Sequence, residues 1–325
     1  MLHIAIIGTG NLGGRHLQSL ASLKETAVIQ VVDISASASE QAANWFHEKE
    51  PGQHLKLEIH QDISDLHEHI DIAIVATSAD SRRRLTERLL TEKEVDYLIL
   101  EKVLFQREAD YRAVAEFIRE KGCKAWVNCP RRTVDFYREC AELIKNEAFF
   151  QFAVSGADWG MGCNAVHYLD LIAFLTGSPE GFIISTEGLD RTVRDSKRQG
   201  FLEFTGVLEG RSGRCSHFTL ASMARSDAPV LITMRSPNLF CMIRESDKKV
   251  WMMSGKNGWN AEEFTMARRY QSQMTSLVVG EILKTGNCGL TAYEDSMKIH
   301  VPFIRSLLEF LRVHMEWEKD TCPIT

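Results

Sequence analysis

The sequence is poor in the features that mark several large classes of protein. No apolar run approaches the ~18 residues a membrane helix needs, so no membrane partner is expected. The N-terminal "MLHIAIIG" lacks a charged segment ahead of an apolar one, so it reads as a strand and not as a signal peptide. None of the eight cysteines, Cys123, Cys129, Cys140, Cys163, Cys215, Cys241, Cys288 and Cys322, stands in a Cys-x-x-Cys pair. That excludes a zinc ribbon and a thioredoxin-like redox motif, and leaves reduced thiols in a cytoplasmic protein as the plain expectation. His67-Glu68-His69 has no partner motif and reads as a surface loop, so no metal is expected. Basic residues are not in excess: the formal net charge is -6, against the basic stripe of a nucleic-acid binder. The densest basic run, Arg82-Arg83-Arg84, falls within an expected helix and reads as its solvated face. There is no internal repeat and no low-complexity segment.

What is present is a chain of 325 residues, 44% hydrophobic and 25% charged, long enough for two domains. Its first part alternates apolar strands ("HIAIIG", "AVIQVVD", "LKLEIHQD", "IDIAIVATS", "DYLILEKV", "KAWVNCP") with helical patterns. That rhythm predicts an α/β domain, a doubly wound parallel sheet with helices on both faces. After Pro130 the rhythm changes. A helix, a strand and a second helix are followed, from about 182 to 255, by strands without intervening helices, and then by helical stretches at about 264–284 and 291–314. A second, α+β domain with a mainly antiparallel sheet is expected. The division is drawn at 1–125 and 126–325.

"GTGNLG" sets Gly8-x-Gly10-x-x-Gly13 between a strand and a helix. In that context Gly8 allows the tight turn, Gly10 the approach of a pyrophosphate to the backbone, and Gly13 the close packing of helix on strand. The helix N-terminus offers free N–H groups to the phosphates. Asp33 ends the second strand 20 residues after Gly13, where a carboxylate accepts from adenosine ribose hydroxyls. No Arg or Lys follows in "DISASASE" to receive a 2′-phosphate, so NAD is favoured over NADP.

"GCNAVHYLDL" (162–171) raises a different question. Positions three and four apart share a helix face, and one face here carries Cys163, Asn164, His167 and Asp170. An imidazole in such a place suits proton transfer near neutral pH.

Taken in order, the glycine motif, "LEKVL" with Glu101-Lys102 at a strand end, "VNCPRR", and "GCNAVHYLDLIAFLTG" resemble the glucose–fructose oxidoreductase, inositol dehydrogenase and MocA (Gfo/Idh/MocA) family of NAD(P)-dependent oxidoreductases. The resemblance spans nearly the whole chain in element order. It implies a Rossmann domain, an α/β domain whose open sheet often mediates oligomerisation (a homodimer or tetramer), a nicotinamide lying between the domains, and a sugar, cyclitol or sugar derivative as substrate. It implies Lys102 and His167 as catalytic residues, the lysine stabilising the alkoxide and the histidine moving the proton. Asn164, Trp159, Arg131, Arg132 and Asp170 are implied to meet substrate. Gly8, Thr9, Gly10, Asn11, Leu12, Gly13, Asp33, Thr77, Glu101 and Lys102 are the cofactor-binding candidates. Two positions depart from the pattern. Val103 replaces the family's proline, and a non-proline cis bond costs roughly 2.5–4 kcal/mol, which argues against the cis peptide often found there. Cys163 replaces the aspartate four residues before the histidine, which removes the usual acidic partner of the base. Two other readings remain: a redox-neutral enzyme with tightly held NAD, and a non-catalytic NAD-binding sensor or scaffold.

Overall fold

The computed structural model describes residues 1–325. The chain forms two compact units. The first comprises Met1–Phe105, Ala109–Asn128 and Arg269–Tyr293; the second comprises Gln106–Glu108, Cys129–Arg268 and Glu294–Thr325.

In the first unit six strands, β1 (Leu2–Ile7), β2 (Ala27–Val32), β3 (Leu55–His60), β4 (His69–Val75), β5 (Glu94–Leu100) and β6 (Lys124–Val127), alternate with helices α1 (Asn11–Leu20), α2 (Ala36–His47), α3 (Ala79–Glu92) and α4 (Glu108–Glu120). The parallel strands lie in the order β6-β5-β4-β1-β2-β3. This is the doubly wound arrangement, whose strand order reverses between β1 and β4 and so leaves a crevice at the carboxyl ends there. β2 is buried along its whole length, as expected of a parallel strand covered on both faces. Ser35 caps α2, its hydroxyl accepting from Ala38 N–H at 3.3 Å.

The segment 269–293, which the sequence reading assigns to the second domain, packs in the first. Its helix, Thr275–Thr285, buries Val278, Val279 and Ile282 in one cluster with Leu17, Leu20 and Ile29. Its last residues, Thr291–Ala292, add an antiparallel strand to the edge of β6. Apolar spacing along the helix was legible; which sheet would receive that face was not.

The second unit starts with α5 (Asp135–Ile144), β7 (Gln151–Ala157) and α6 (Met161–Thr176). β8 (Ile183–Leu189) leads to a minimal ribbon of β9 (Arg194–Asp195) and β10 (Leu202–Glu203). Then come β11 (Gly206–Ser212), β12 (Cys215–Met223), β13 (Leu231–Ser236), β14 (Leu239–Arg244), β15 (Lys249–Ser254) and β16 (Glu262–Thr265). Apart from that ribbon these strands form an eight-stranded sheet in the order β16-β15-β14-β13-β7-β12-β11-β8. All its pairings are antiparallel except β7 on β12. One face is core: Phe152, Val154, Phe218, Leu220, Ile232, Met234, Cys241 and Ile243 are buried. The alternate residues Phe240, Met242, Trp251 and Met253 are only half-buried.

Residues 264–274 are not the start of a helix, as their spacing suggests. Glu262–Thr265 pairs with β15, and the Phe264 ring packs against Phe136 at 5.7 Å. The helix Thr275–Thr285 is α7, Thr291–Ala292 is β17, and the closing helix, α8, runs Tyr293–Met315. No helix is long and apolar enough to cross a membrane, and all eight cysteines are free thiols.

Candidate functional site

The first unit gathers its candidates along the carboxyl edge of the parallel sheet. The glycine loop follows β1, Asp33 follows β2, Thr77 follows β4, and Glu101-Lys102 follows β5. The loop glycines have distinct reasons to be glycine. Gly8 has φ +92°, and a Cβ there would stand 2.8 Å from the Thr77 methyl. A Cβ on Gly13 would stand 1.8 Å from the Gly8 carbonyl oxygen. Gly10 faces open space and precedes α1 with no side-chain cap, so the first N–H groups of α1, from Asn11 and Leu12 onward, are available to a ligand.

Asp33 closes this loop from the side. Its Oδ2 accepts from Thr9 N–H at 2.6 Å and from the Thr9 hydroxyl at 3.1 Å, and its Oδ1 accepts from Ser35 N–H at 2.8 Å. A carboxylate accepts about four hydrogen bonds, so Oδ1 keeps room for a further hydroxyl. The Thr77 hydroxyl is buried with no hydrogen-bond partner. An open glycine cradle, a remaining acceptor and an orphaned hydroxyl along one edge fit a dinucleotide.

Lys102 is half-buried and Glu101 fully buried. The Lys102–Val103 peptide is cis despite the absence of proline, which corrects the expectation drawn from Val103. Burial pushes the Glu101 carboxyl up. Hydrogen bonds from His16 and Asn128 and the neighbouring Lys102 charge outweigh that and hold it below the usual range.

Arg82 belongs here too, and corrects the reading of Arg82-Arg83-Arg84 as a solvated face. It is 1% exposed, and its guanidinium donates to the carbonyls of Thr77, Val103 and Leu104. One side chain thus ties the loop after β4 to the segment after Lys102. Arg83, paired with Glu87 and Asp110, and the exposed Arg84 do behave as surface charge.

In the second unit α6 carries the polar face seen in the sequence. Cys163, Asn164 and His167 are half-buried, while Ala165, Val166 and Leu169 are buried. Gly160, at φ +75°, starts the helix, and the Asn164 amide donates to the Trp159 carbonyl at 2.7 Å. The Trp159 indole N–H is anchored on the Ala221 carbonyl at 2.7 Å, and its ring meets Tyr168 edge-on at 5.4 Å. Glu203, which the sequence reading overlooked, receives Gly162 N–H at 2.7 Å and Phe204 N–H at 2.9 Å. It supplies the carboxylate cap that α6 lacks locally, from a strand too distant in sequence to betray it.

The other implied substrate contacts are engaged within the protein. Arg132 bridges Asp170 through two hydrogen bonds of 3.1 Å, and Asp170 is 1% exposed. Arg131 reaches Glu245 at 2.8 Å and lies 4.3 Å from the Tyr168 ring centroid. Burial pushes the Glu245 carboxyl up, but Arg131, with Arg268 and Tyr137, draws it below the ordinary carboxylate range. These two ion pairs clamp the segment Pro130–Thr133 to α6 and to the end of β14.

The loop, the acidic residue and the strand order define a dinucleotide-binding Rossmann unit, continued by a unit built on an open sheet. Residues 2–129 match the oxidoreductase family, NAD-binding Rossmann fold, Gfo/Idh/MocA, the family that the motifs resemble. None of the curated proteins matches the sequence. Among solved structures, the chain is similar to a Gfo/Idh/MocA family oxidoreductase from Vibrio cholerae (12% identity, 98% of this chain and 100% of that chain, TM-score 0.71). It is also similar to UDP-N-acetylglucosamine 3-dehydrogenase GnnA from Acidithiobacillus ferrooxidans (12% identity, 98% of each chain, TM-score 0.69). A third is biliverdin reductase from Synechocystis sp. PCC 6803, in complex with biliverdin and NADP+ (14% identity, 94% of this chain and 97% of that chain, TM-score 0.69). At these identities the likeness is one of fold.

Proposed function

We propose that the chain is an NAD-dependent oxidoreductase that interconverts an alcohol and a ketone on a sugar, cyclitol or sugar derivative. The observation that carries this reading is Glu101-Lys102 at the carboxyl end of β5, on the same sheet edge as the glycine loop and Asp33. A bound nicotinamide would supply hydride acceptance and donation. The chain's own part is binding and proton transfer. N–H groups at the start of α1 receive the pyrophosphate, and Asp33 Oδ1 receives a ribose hydroxyl. Lys102 holds the substrate oxygen and stabilises its developing charge. His167 takes the hydroxyl proton in oxidation and returns it in reduction. Asn164 Oδ1 accepts from a further substrate hydroxyl. Asp33 beside the loop, without a following Arg or Lys, favours NAD over NADP.

The half-buried Phe240, Met242, Trp251 and Met253 support assembly into a homo-oligomer through the open sheet face. Eight free thiols fit a reducing compartment such as the cytoplasm. The test is a substrate screen over sugars, cyclitols and nucleotide sugars with NAD, read at the reduced-nicotinamide absorbance. Net reduction supports the reading. Tight NAD binding with substrate conversion but no net reduction assigns the redox-neutral alternative, and binding with no conversion assigns the scaffold.

A further inference from the structure

The amino ends of β4 and β5, at the edge of the parallel sheet away from the glycine loop, carry a charge imbalance that a dinucleotide does not explain. His69, which the sequence reading placed in a surface loop, opens β4. Side chains alternate along a strand, so His69 and Asp71 share one sheet face while the fully buried Ile70 takes the other. On β5 the register sets Glu94 beside His69, Val95 beside Ile70 and Tyr97 beside Ile72, which leaves Asp96 beside Asp71. Three carboxylates thus meet on one face. Like charges side by side on neighbouring strands are destabilising, yet no Lys or Arg pairs with any of the three. Their one ionic partner is His69.

The spacing suits a bound ion. His69 Nε2 stands 3.3 Å from Asp96 Oδ2 and 4.0 Å from Asp71 Oδ1, and one ligand atom from each residue lies within 4.8 Å of the other two. A tetrahedral ion with ligands at about 2.0–2.1 Å needs its ligand atoms roughly 3.3–3.4 Å apart. One such edge is in place, and the other two close by small rotations of partly exposed side chains. Asp71 Oδ2 accepts from His3 N–H at 2.7 Å, which leaves Oδ1 turned to His69. Glu94 Oε2 stands 3.9 Å from His69 Nδ1, on the side of the ring where a carboxylate orients a ligating imidazole. His3 adds an independent observation. Ile4 pairs with Ile72, so His3 lies on β1 beside Asp71. Its Nδ1 is buried without a hydrogen-bond partner, and its ring centroid is 4.0 Å from that of His67. The corner therefore holds an unused imidazole nitrogen next to its uncompensated carboxylates.

We propose that His69, Asp71 and Asp96 bind a divalent first-row transition ion, with solvent completing its coordination. An imidazole among the ligands favours zinc and its neighbours over Mg2+ and Ca2+, which take oxygen. The ion cancels the repulsion among the carboxylates and pins β4 to β5 at the edge away from the cofactor. It takes no part in hydride transfer, so the proposal stands apart from the dehydrogenase reading.

The test is isothermal titration of chelator-washed, full-length protein with zinc chloride. It compares the wild type with His69→Ala, Asp96→Asn and His47→Ala, the last an exposed histidine outside the cluster. Wild type and His47→Ala should bind zinc alike at micromolar concentration. His69→Ala and Asp96→Asn should each bind at least about tenfold more weakly. Both side chains are about half exposed, so neither change disturbs the core. Saturating zinc should raise the unfolding temperature of the wild type but not of Asp96→Asn, and Mg2+ should not replace it. No zinc binding by the wild type below millimolar concentration overturns the proposal. So does binding undiminished in both cluster variants, which would place the ion on thiols elsewhere. A Mg2+ response equal to that with zinc also overturns it, because the imidazole would then not be a ligand.

Discussion

Thr9 gives its backbone N–H to Asp33 Oδ2 at 2.6 Å and its hydroxyl to the same oxygen at 3.1 Å, so the residue expected to select the cofactor also braces the glycine loop. Replacing Asp33 with Ser and Ile34 with Arg should therefore act in two ways. Affinity should move from NAD toward NADP, because a 2′-phosphate no longer meets a carboxylate and gains a guanidinium. Stability should fall by about 1 kcal/mol, the usual worth of a lost hydrogen bond of this kind. Calorimetry with both dinucleotides checks the first effect and urea unfolding the second. Tighter binding of NADP than NAD by the wild type would reverse the cofactor assignment.

Arg82 and Arg83 are adjacent, and their substitutions should differ sharply. Arg82→Met strips donors from the carbonyls of Thr77, Val103 and Leu104 in a site closed to water, and should cost roughly 2–4 kcal/mol. Arg83→Ala removes a pair that is 39% exposed on the arginine side and should change stability by less than about 0.5 kcal/mol. Chemical denaturation of the two variants makes the comparison.

The ion pair of Arg131 with Glu245 predicts a pH dependence with a definite sign. The folded carboxyl lies below the ordinary value of 4.5. Its contribution is thus fully present above the unfolded value and is lost as pH falls through the folded one. Glu245→Gln should flatten that acid limb. It should also lower stability at neutral pH, where Arg131 is left with its charge unpaired. Thermal unfolding from neutral pH down to about pH 3 reads both effects. An acid limb as steep in the variant as in the wild type would mean that Glu245 does not carry it.

On the open sheet, Phe240 pairs with Met253, and Met242 with Trp251, across β14 and β15. We expect a dimer or tetramer by light scattering, and Met242→Glu should lower the mass by placing a charge in that face. A monomeric wild type at micromolar concentration would contradict the assembly.

These cases also show what the residues disclosed by themselves. The alternation of β1 to β6 with helices, the glycine loop and the polar face of α6 each depend on local spacing, and local spacing is visible in a sequence. The bonds of His16 to Glu101, Gln271 and Thr275 are different. His16 reads as one more polar residue on α1, and Gln271 and Thr275 lie some 255 residues further on; only the return of 269–293 to the first sheet brings them together. Arg82 is indistinguishable from Arg83 until α3 is rotated onto the sheet. Asp170 and Arg132 flank landmarks in the sequence, but nothing in their spacing shows that they pair with each other. Burial and long-range pairing decide such positions, and neither has a periodic signature.

The central claim is hydride transfer served by Lys102 and His167. Its most direct measurement is the rate of nicotinamide reduction at saturating NAD, with the alcohol found by the screen, in wild type, Lys102→Ala and His167→Asn. The account predicts turnover in the wild type, a loss of roughly 10²–10⁴-fold in His167→Asn, and a strong loss in Lys102→Ala that combines non-additively with it if both act on one oxygen. NAD affinity should be nearly unchanged in the histidine variant. Near-normal turnover in His167→Asn, or no reduction of NAD by the wild type with any sugar-like alcohol, would contradict it.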